Sequence, residues 1–195
     1  MGYGIYCEPG ANVTRRSFLT LACGVMVLSA CGFQLQGQQD YPFKRLALVG
    51  APPAFLGRFS RIVQGGSDTV IVSSPANADA ILRVTESLGN SVLAMNSLGV
   101  VEEYALSYSL TYTLVGADGT VLIPGSVISL NRAMTYSDQF SQSKSSEADL
   151  LYADMRSDAV DQLTRRLGVV HSLHPAPGQE VPAVSPRAPL PPPPL

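Results

Sequence analysis

Between Tyr104 and Leu114 the chain alternates. Tyr104, Leu106, Tyr108, Leu110, Tyr112 and Leu114 are large, while Ala105, Ser107, Ser109, Thr111 and Thr113 between them are small or hydroxylated. A period of two held over eleven residues puts every large side chain on one face of a β-strand, a pattern no helix reproduces. The fold must therefore contain a sheet with one buried face, and something apolar must cover that face. Gly116-Ala117-Asp118-Gly119 follows, where Asp-Gly offers the positive φ angles of a tight hairpin, and residues 120–136 read as the returning strand. Pro124-Gly125 interrupts this second strand; proline cannot donate to a ladder, so the position must be an edge or a bulge. Strands of about 15 residues span roughly 50 Å at about 3.3 Å each, so a hairpin projecting beyond the covered core is expected. Its outward surface, with Ser107, Ser109, Thr111 and Thr113 and the nearby Pro124, carries none of the charge that normally guards an exposed sheet, which points to a partner that covers it.

The remaining elements fall on either side. Residues 44–49 read as a first strand, stopped by Gly50 and Pro52-Pro53. From 54 to 64, Phe55, Phe59, Ile62 and Val63 share one side at helical spacing. Thr69–Val72 is a short β-branched strand, and 80–86 another, which 91–95 either continues or pairs with after the Gly89-Asn90 turn signal. From Glu147 to Leu167 an apolar stripe (Ala148, Leu151, Tyr152, Met155, Ala159, Leu163, Leu167) opposes Asp149, Asp154, Asp158 and Asp161, a helix. Ser146 with Asp149 suggests a capping-box start, Arg165-Arg166 suit the C-terminal dipole, and Gly168 ends it. The order β-α-β-β-β-β-α makes the domain α+β, with helices on one face of a mostly antiparallel sheet.

Neither end of the chain belongs to that domain. Arg15-Arg16 precede an uncharged, largely apolar run from Phe18 to Ala30, shorter than the roughly 20 residues a membrane span needs; it has the anatomy of an export signal. The pair in Thr14-Arg15-Arg16-Ser17-Phe18-Leu19 also resembles a twin-arginine signal. The run closes in Leu28-Ser29-Ala30-Cys31-Gly32, which resembles the lipobox of bacterial lipoproteins. It implies cleavage before Cys31, with diacylglycerol on its thiol and an acyl chain on its new amino group. Cys23 has Thr20 at the corresponding −3 position and too short a run before it, and Cys7 lies in what reads as an extension ahead of the signal. Gly32 stands where an aspartate would favour inner-membrane retention, so the resemblance points to the outer membrane of a Gram-negative envelope. From Pro175 to Leu195 there are nine prolines, four of them consecutive, a composition expected to stay disordered and polyproline-like.

Charge and motif content narrow the chemistry. Only 14% of residues are charged and the net charge is −2, so there is no basic surplus for a phosphate backbone, and nucleic acid is not expected as a partner. No Gly-x-Ser-x-Gly elbow occurs, and the two histidines, His171 and His174, lie beside the proline tail, remote from any rigid triad. They have no neighbouring thiol or carboxylate set with which to hold a metal. Glu102 and Glu103 are adjacent on a strand and so face opposite sides, unlike a glycosidase pair. Gly65-Gly66 lacks the lysine of a phosphate-binding loop. A binding or assembly protein without catalytic residues is expected.

Three local features coincide: Cys31-Gly32-Phe33-Gln34-Leu35-Gln36-Gly37 after the lipobox, Val121-Leu122-Ile123-Pro124-Gly125 after the alternating strand, and the terminal Ala159-Val160-Asp161-Gln162-Leu163-Thr164-Arg165-Arg166-Leu167. Together they resemble the LptE lipoprotein family of lipopolysaccharide transport, over about residues 31–167. The resemblance implies two helices on a four-stranded sheet in the order β-α-β-β-β-α, tethered to the inner leaflet of the outer membrane and plugging the large β-barrel LptD. A hydroxyl face suits a polar barrel lumen. It further implies basic side chains that meet lipopolysaccharide: Lys144, in the Ser/Gln-rich stretch before the last helix, matches one such position, while the other falls on Ser97. Arg132 is a candidate substitute. Lys144 reads equally as a solvated loop lysine. The expected organisation is a leader over 1–30, a lipidated linker over 31–43, the domain over 44–170 and a tail over 171–195. An auxiliary lipoprotein of another envelope lipid-transport complex and an anchored envelope hydrolase are the competing readings.

Overall fold

The computed structural model of the chain describes residues 39–176 and 181–185. The leader, Cys31 and its expected lipid, and the last ten residues lie outside the described residues. Strand β1 (Arg45–Val49), helix α1 (Pro53–Gly66), β2 (Val70–Val72), β3 (Ala80–Met95), β4 (Val101–Gly116), β5 (Val121–Thr135) and α2 (Ser141–Leu167) follow in that order, with short 3₁₀ turns at Pro75–Asn77 and Asp138–Phe140. This is the β-α-β-β-β-β-α order read from the residues. The sheet has five strands, in the order β2-β1-β3-β4-β5, which corrects the four-stranded expectation. The fifth is β2, three residues long, running parallel to β1 because α1 carries the chain back to start again on the same side. β1 is also parallel to β3, while β3, β4 and β5 are antiparallel.

The large residues of the alternating strand are the floor of the core. Leu106, Tyr108, Leu110, Tyr112 and Leu114 are all buried, with Leu82 and Val84 from β3 beside them. Phe55, Phe59 and Val63 cover this floor from α1, and Met155, Ala159, Val160, Leu163 and Leu167 cover it from α2. Phe55 and Phe59, one helical turn apart, stack with ring centroids 5.7 Å apart. At the start of β1 the Asp79 carboxylate accepts the backbone N–H groups of Lys44 and Arg45 and both Nε–H and Nη2–H of Arg45. The Arg45 side chain holds that carboxyl below its usual range. Gly50, at φ +82°, stops β1; a side chain there would run into the Val84 carbonyl oxygen.

Four local expectations are corrected. Gly89-Asn90 is not a turn: β3 runs straight through it for 16 residues. In the β4–β5 turn only Gly119 takes a positive φ, +90°, since Asp118 instead receives the Thr120 N–H and hydroxyl on its carboxylate. Helix α2 begins at Ser141, with Phe140 as an N-cap without a side-chain bond, so Lys144 is helical and Ser146 returns its hydroxyl to the Gln142 carbonyl instead of capping. The longer helix also changes what projects. It runs along the sheet far enough for Lys144 to reach Thr135, and the β4–β5 turn folds onto Asp79. The protruding end is therefore the β3–β4 hairpin, where Leu93, Met95 and Leu98 are exposed. At Pro124-Gly125 the register slips between Tyr112↔Ser126 and Leu114↔Ile123, as expected of a proline in an edge strand.

Candidate functional site

With both helices on one side, the other side of the sheet is open. Register places its residues in rows across β3, β4 and β5: Thr85↔Thr111↔Val127, Ser87↔Ser109↔Ser129, Gly89↔Ser107↔Asn131 and Ser91↔Ala105↔Ala133. Twelve positions thus form a patch with no ionisable side chain. Arg83, opposite Thr113, marks one end, and Glu103, opposite Thr135, the other. Among the described residues, the hydroxyls of Ser87, Ser107, Ser109, Thr111 and Ser129 have no intramolecular hydrogen-bond partner. Each can both donate and accept, so the face offers an array of neutral hydrogen-bonding groups whose covering requires no charge to be desolvated. Gly89 leaves space beside the Ser107 hydroxyl, from which a Cβ would sit 2.8 Å away.

Ser107, Ser109, Thr111 and Thr113 are thus brought together as the sequence suggested, with Pro124 at the bulge beside Thr113. The contributions of β3 and β5 (Thr85, Ser87, Ser91, Ser129, Asn131) were not among the expected residues. Their signal is the same period of two in small polar residues, obscured in β3 by the Gly-Asn pair and in β5 by the bulge.

The two candidate cations are elsewhere. Arg132 pairs with Leu106 across the strands, which puts it on the helix side, where Nη2 lies 2.8 Å from Asp158 Oδ2. Lys144 Nζ donates to Thr135 Oγ1 at 3.1 Å and to Glu147 Oε2 at 2.8 Å. It borders a cavity of about 360 Å³ lined by Tyr104, Leu106, Met134, Tyr136 and Tyr152, in which Tyr104 and Tyr136 meet edge to face. Each cation is already matched by a carboxylate. Ser97 lies in the β3–β4 turn, where Asn96 Oδ1 receives the N–H groups of Leu98 and Val100. His174 sits exposed, 3.3 Å from Asp118. Among the described residues no group of three or more His, Cys, Asp or Glu could hold a metal, and no helix is long and apolar enough to cross a membrane.

Residues 49–167 match the family described as LptE, lipopolysaccharide-assembly. The chain is 30% identical over 170 residues to the LPS-assembly lipoprotein LptE of Yersinia enterocolitica, covering 81% of this chain and 78% of that protein. It is 24% identical to the protein of the same name from Photorhabdus laumondii, covering 81% and 89%. Among solved structures, the uncharacterized lipoprotein B of Nitrosomonas europaea superposes with a TM-score of 0.60 at 25% identity, over 73% of this chain and 99% of that one.

Proposed function

The chain belongs to the LptE lipopolysaccharide-assembly family, and on that premise we propose that it is an outer-membrane lipoprotein that plugs, and supports assembly of, an LptD-type β-barrel. The observation that carries the reading is the charge-free hydroxyl face. A large barrel's lumen is lined with polar side chains, so once a plug displaces its water those side chains can supply a partner for each hydroxyl. A free hydroxyl face buried against an apolar surface would instead leave donors and acceptors unsatisfied, at about 1–3 kcal/mol each. The role is architectural and involves no turnover. In this reading residues 1–30 are removed, 31–43 tether the domain, and lipid on Cys31 holds it at the inner leaflet. Lys144 and Arg132 would share any lipopolysaccharide phosphate with the carboxylates already beside them, Glu147 and Asp158, and in this reading that contact is secondary to the barrel.

The reading is tested by recovering the tagged, full-length lipoprotein from detergent-solubilised envelopes: an LptD-type barrel is expected in stoichiometric amount, and its absence would sink the proposal. The anchor has its own test. Produced in excess over the barrel, the Cys31→Ala variant is expected in the soluble periplasmic fraction, without incorporation of labelled palmitate. A single acyl chain binds a bilayer only marginally and two or three bind it stably, so loss of all of them should move nearly the whole excess pool. Undiminished palmitate labelling of the variant would refute lipidation at this residue.

A further inference from the structure

Residues 181–185 do not behave as part of a free tail. Val181 is buried, 7% exposed, and packs into the core cluster with Leu122 and Val170 at an apolar cavity of about 410 Å³. Three residues on, Val184 lies along the outer edge of β5: the Val127 N–H donates to the Val184 carbonyl at 2.9 Å, and the Val184 N–H donates to Ser126 Oγ at 3.1 Å. Arg166 donates to the carbonyl of Pro182 between them. The edge is receptive here because the Pro124-Gly125 bulge turns the fully buried Ser126 so that its hydroxyl bridges the Pro124 carbonyl and the incoming strand. Extended peptides are recognised at sheet edges by main-chain hydrogen bonds together with side chains held in pockets, and this segment supplies one of each.

We propose that the β5 edge beside the Pro124 bulge is a strand-docking site for an extended apolar peptide, and that the chain's own residues 181–184 are its resident occupant, held as a displaceable clasp. The clasp rests on one apolar anchor, one main-chain bond to Val127 and two bonds with side chains, those of Ser126 and Arg166, so it belongs to the least stable part of the domain and opens without unfolding the rest. Nothing in this depends on the barrel.

The test uses the full chain carrying Val181→Asp, compared with wild type by amide hydrogen exchange. The Val127 amide is expected to exchange at least about tenfold faster in the variant while those of Leu110 and Tyr112 stay protected. A labelled peptide of residues 179–187 should then bind the variant in trans and bind wild type, whose site is occupied, much more weakly. The same peptide with Asp in place of Val181 should bind neither. Val184→Pro, which removes the second N–H and leaves the core anchor in place, is expected to raise Val127 exchange in the same direction, and it decides the matter should the first variant lose protection throughout. Equal exchange at Val127 in wild type and variants, or an opened variant that takes up no peptide, would overturn the proposal.

Discussion

Ser109→Arg is expected to leave the domain folded and to abolish its recovery with the barrel. Ser109 sits at the middle of the open face, between Ser87 and Ser129, and its side chain touches nothing in the core. Ser109 is half-buried on a face that points away from the core, and substitutions outside the core usually change stability by no more than about 0.5 kcal/mol, so the melting temperature should hardly move. In the assembled pair the same guanidinium would be enclosed among neutral groups. An unpaired buried charge is worth roughly 3–5 kcal/mol, and each 1.4 kcal/mol or so is tenfold in affinity, so association should fall by at least about a hundredfold. Asp154→Arg, on the exposed side of α2, changes the charge by more and should be recovered normally. Quantifying the co-purified barrel for both variants separates the two surfaces. Full recovery with Ser109→Arg would remove the open face as the contact, and loss with Asp154→Arg instead would transfer that role to the helix layer.

The sheet was legible because its information is local and periodic. Eleven residues in strict alternation fix which side of β4 is inside, and the proline in β5 announces its own register slip. The rest was carried by interactions that sequence spacing does not encode. Gly89 looks like turn punctuation but lies inside β3, where a Cβ would come within 2.8 Å of the Ser107 hydroxyl on the neighbouring strand and make it turn aside. The first turns of α2 are rich in serine and weak in intrinsic propensity. The added first turn is held by a tertiary contact, Lys144 reaching Thr135, and the turns after it by Ala148 packing on the core and Tyr152 donating its hydroxyl to the Gly89 carbonyl at 2.7 Å. A proline-rich composition is expected to stay free of structure, yet two valines among those prolines find a pocket and an edge. The candidate site was legible on one strand only, since extending it to three requires the pairing register. The cations assigned by resemblance were identified without the carboxylates that the fold sets beside them.

The helix-to-sheet join explains why one further substitution should be severe. Glu86 points from β3 to the helix side, opposite Leu110, and its Oε1 lies 2.6 Å from Nε of Arg156 on α2. Their side chains are only 9% and 19% exposed. The Tyr108 phenol packs at the same place, and burial first, then the neighbouring Glu86 charge, holds its ionisation above the usual tyrosine range. Arg156→Ala would leave the carboxylate enclosed without its cation. Removing one partner of a buried pair costs about 3–5 kcal/mol, and the residual exposure brings the expected loss to roughly 2–4 kcal/mol, read as a lowered urea midpoint with an unchanged slope. If the loss reflects a stranded charge and not missing helix packing, replacing both residues by apolar ones of similar length, Glu86→Leu with Arg156→Met, should restore most of it, because the pair's mutual attraction does little more than offset its own desolvation. A double variant as unstable as Arg156→Ala would show instead that the pair specifies how α2 lies across β3. It would then be needed for the shape of the face on the other side of the same strand, and recovery of the barrel should fall with it.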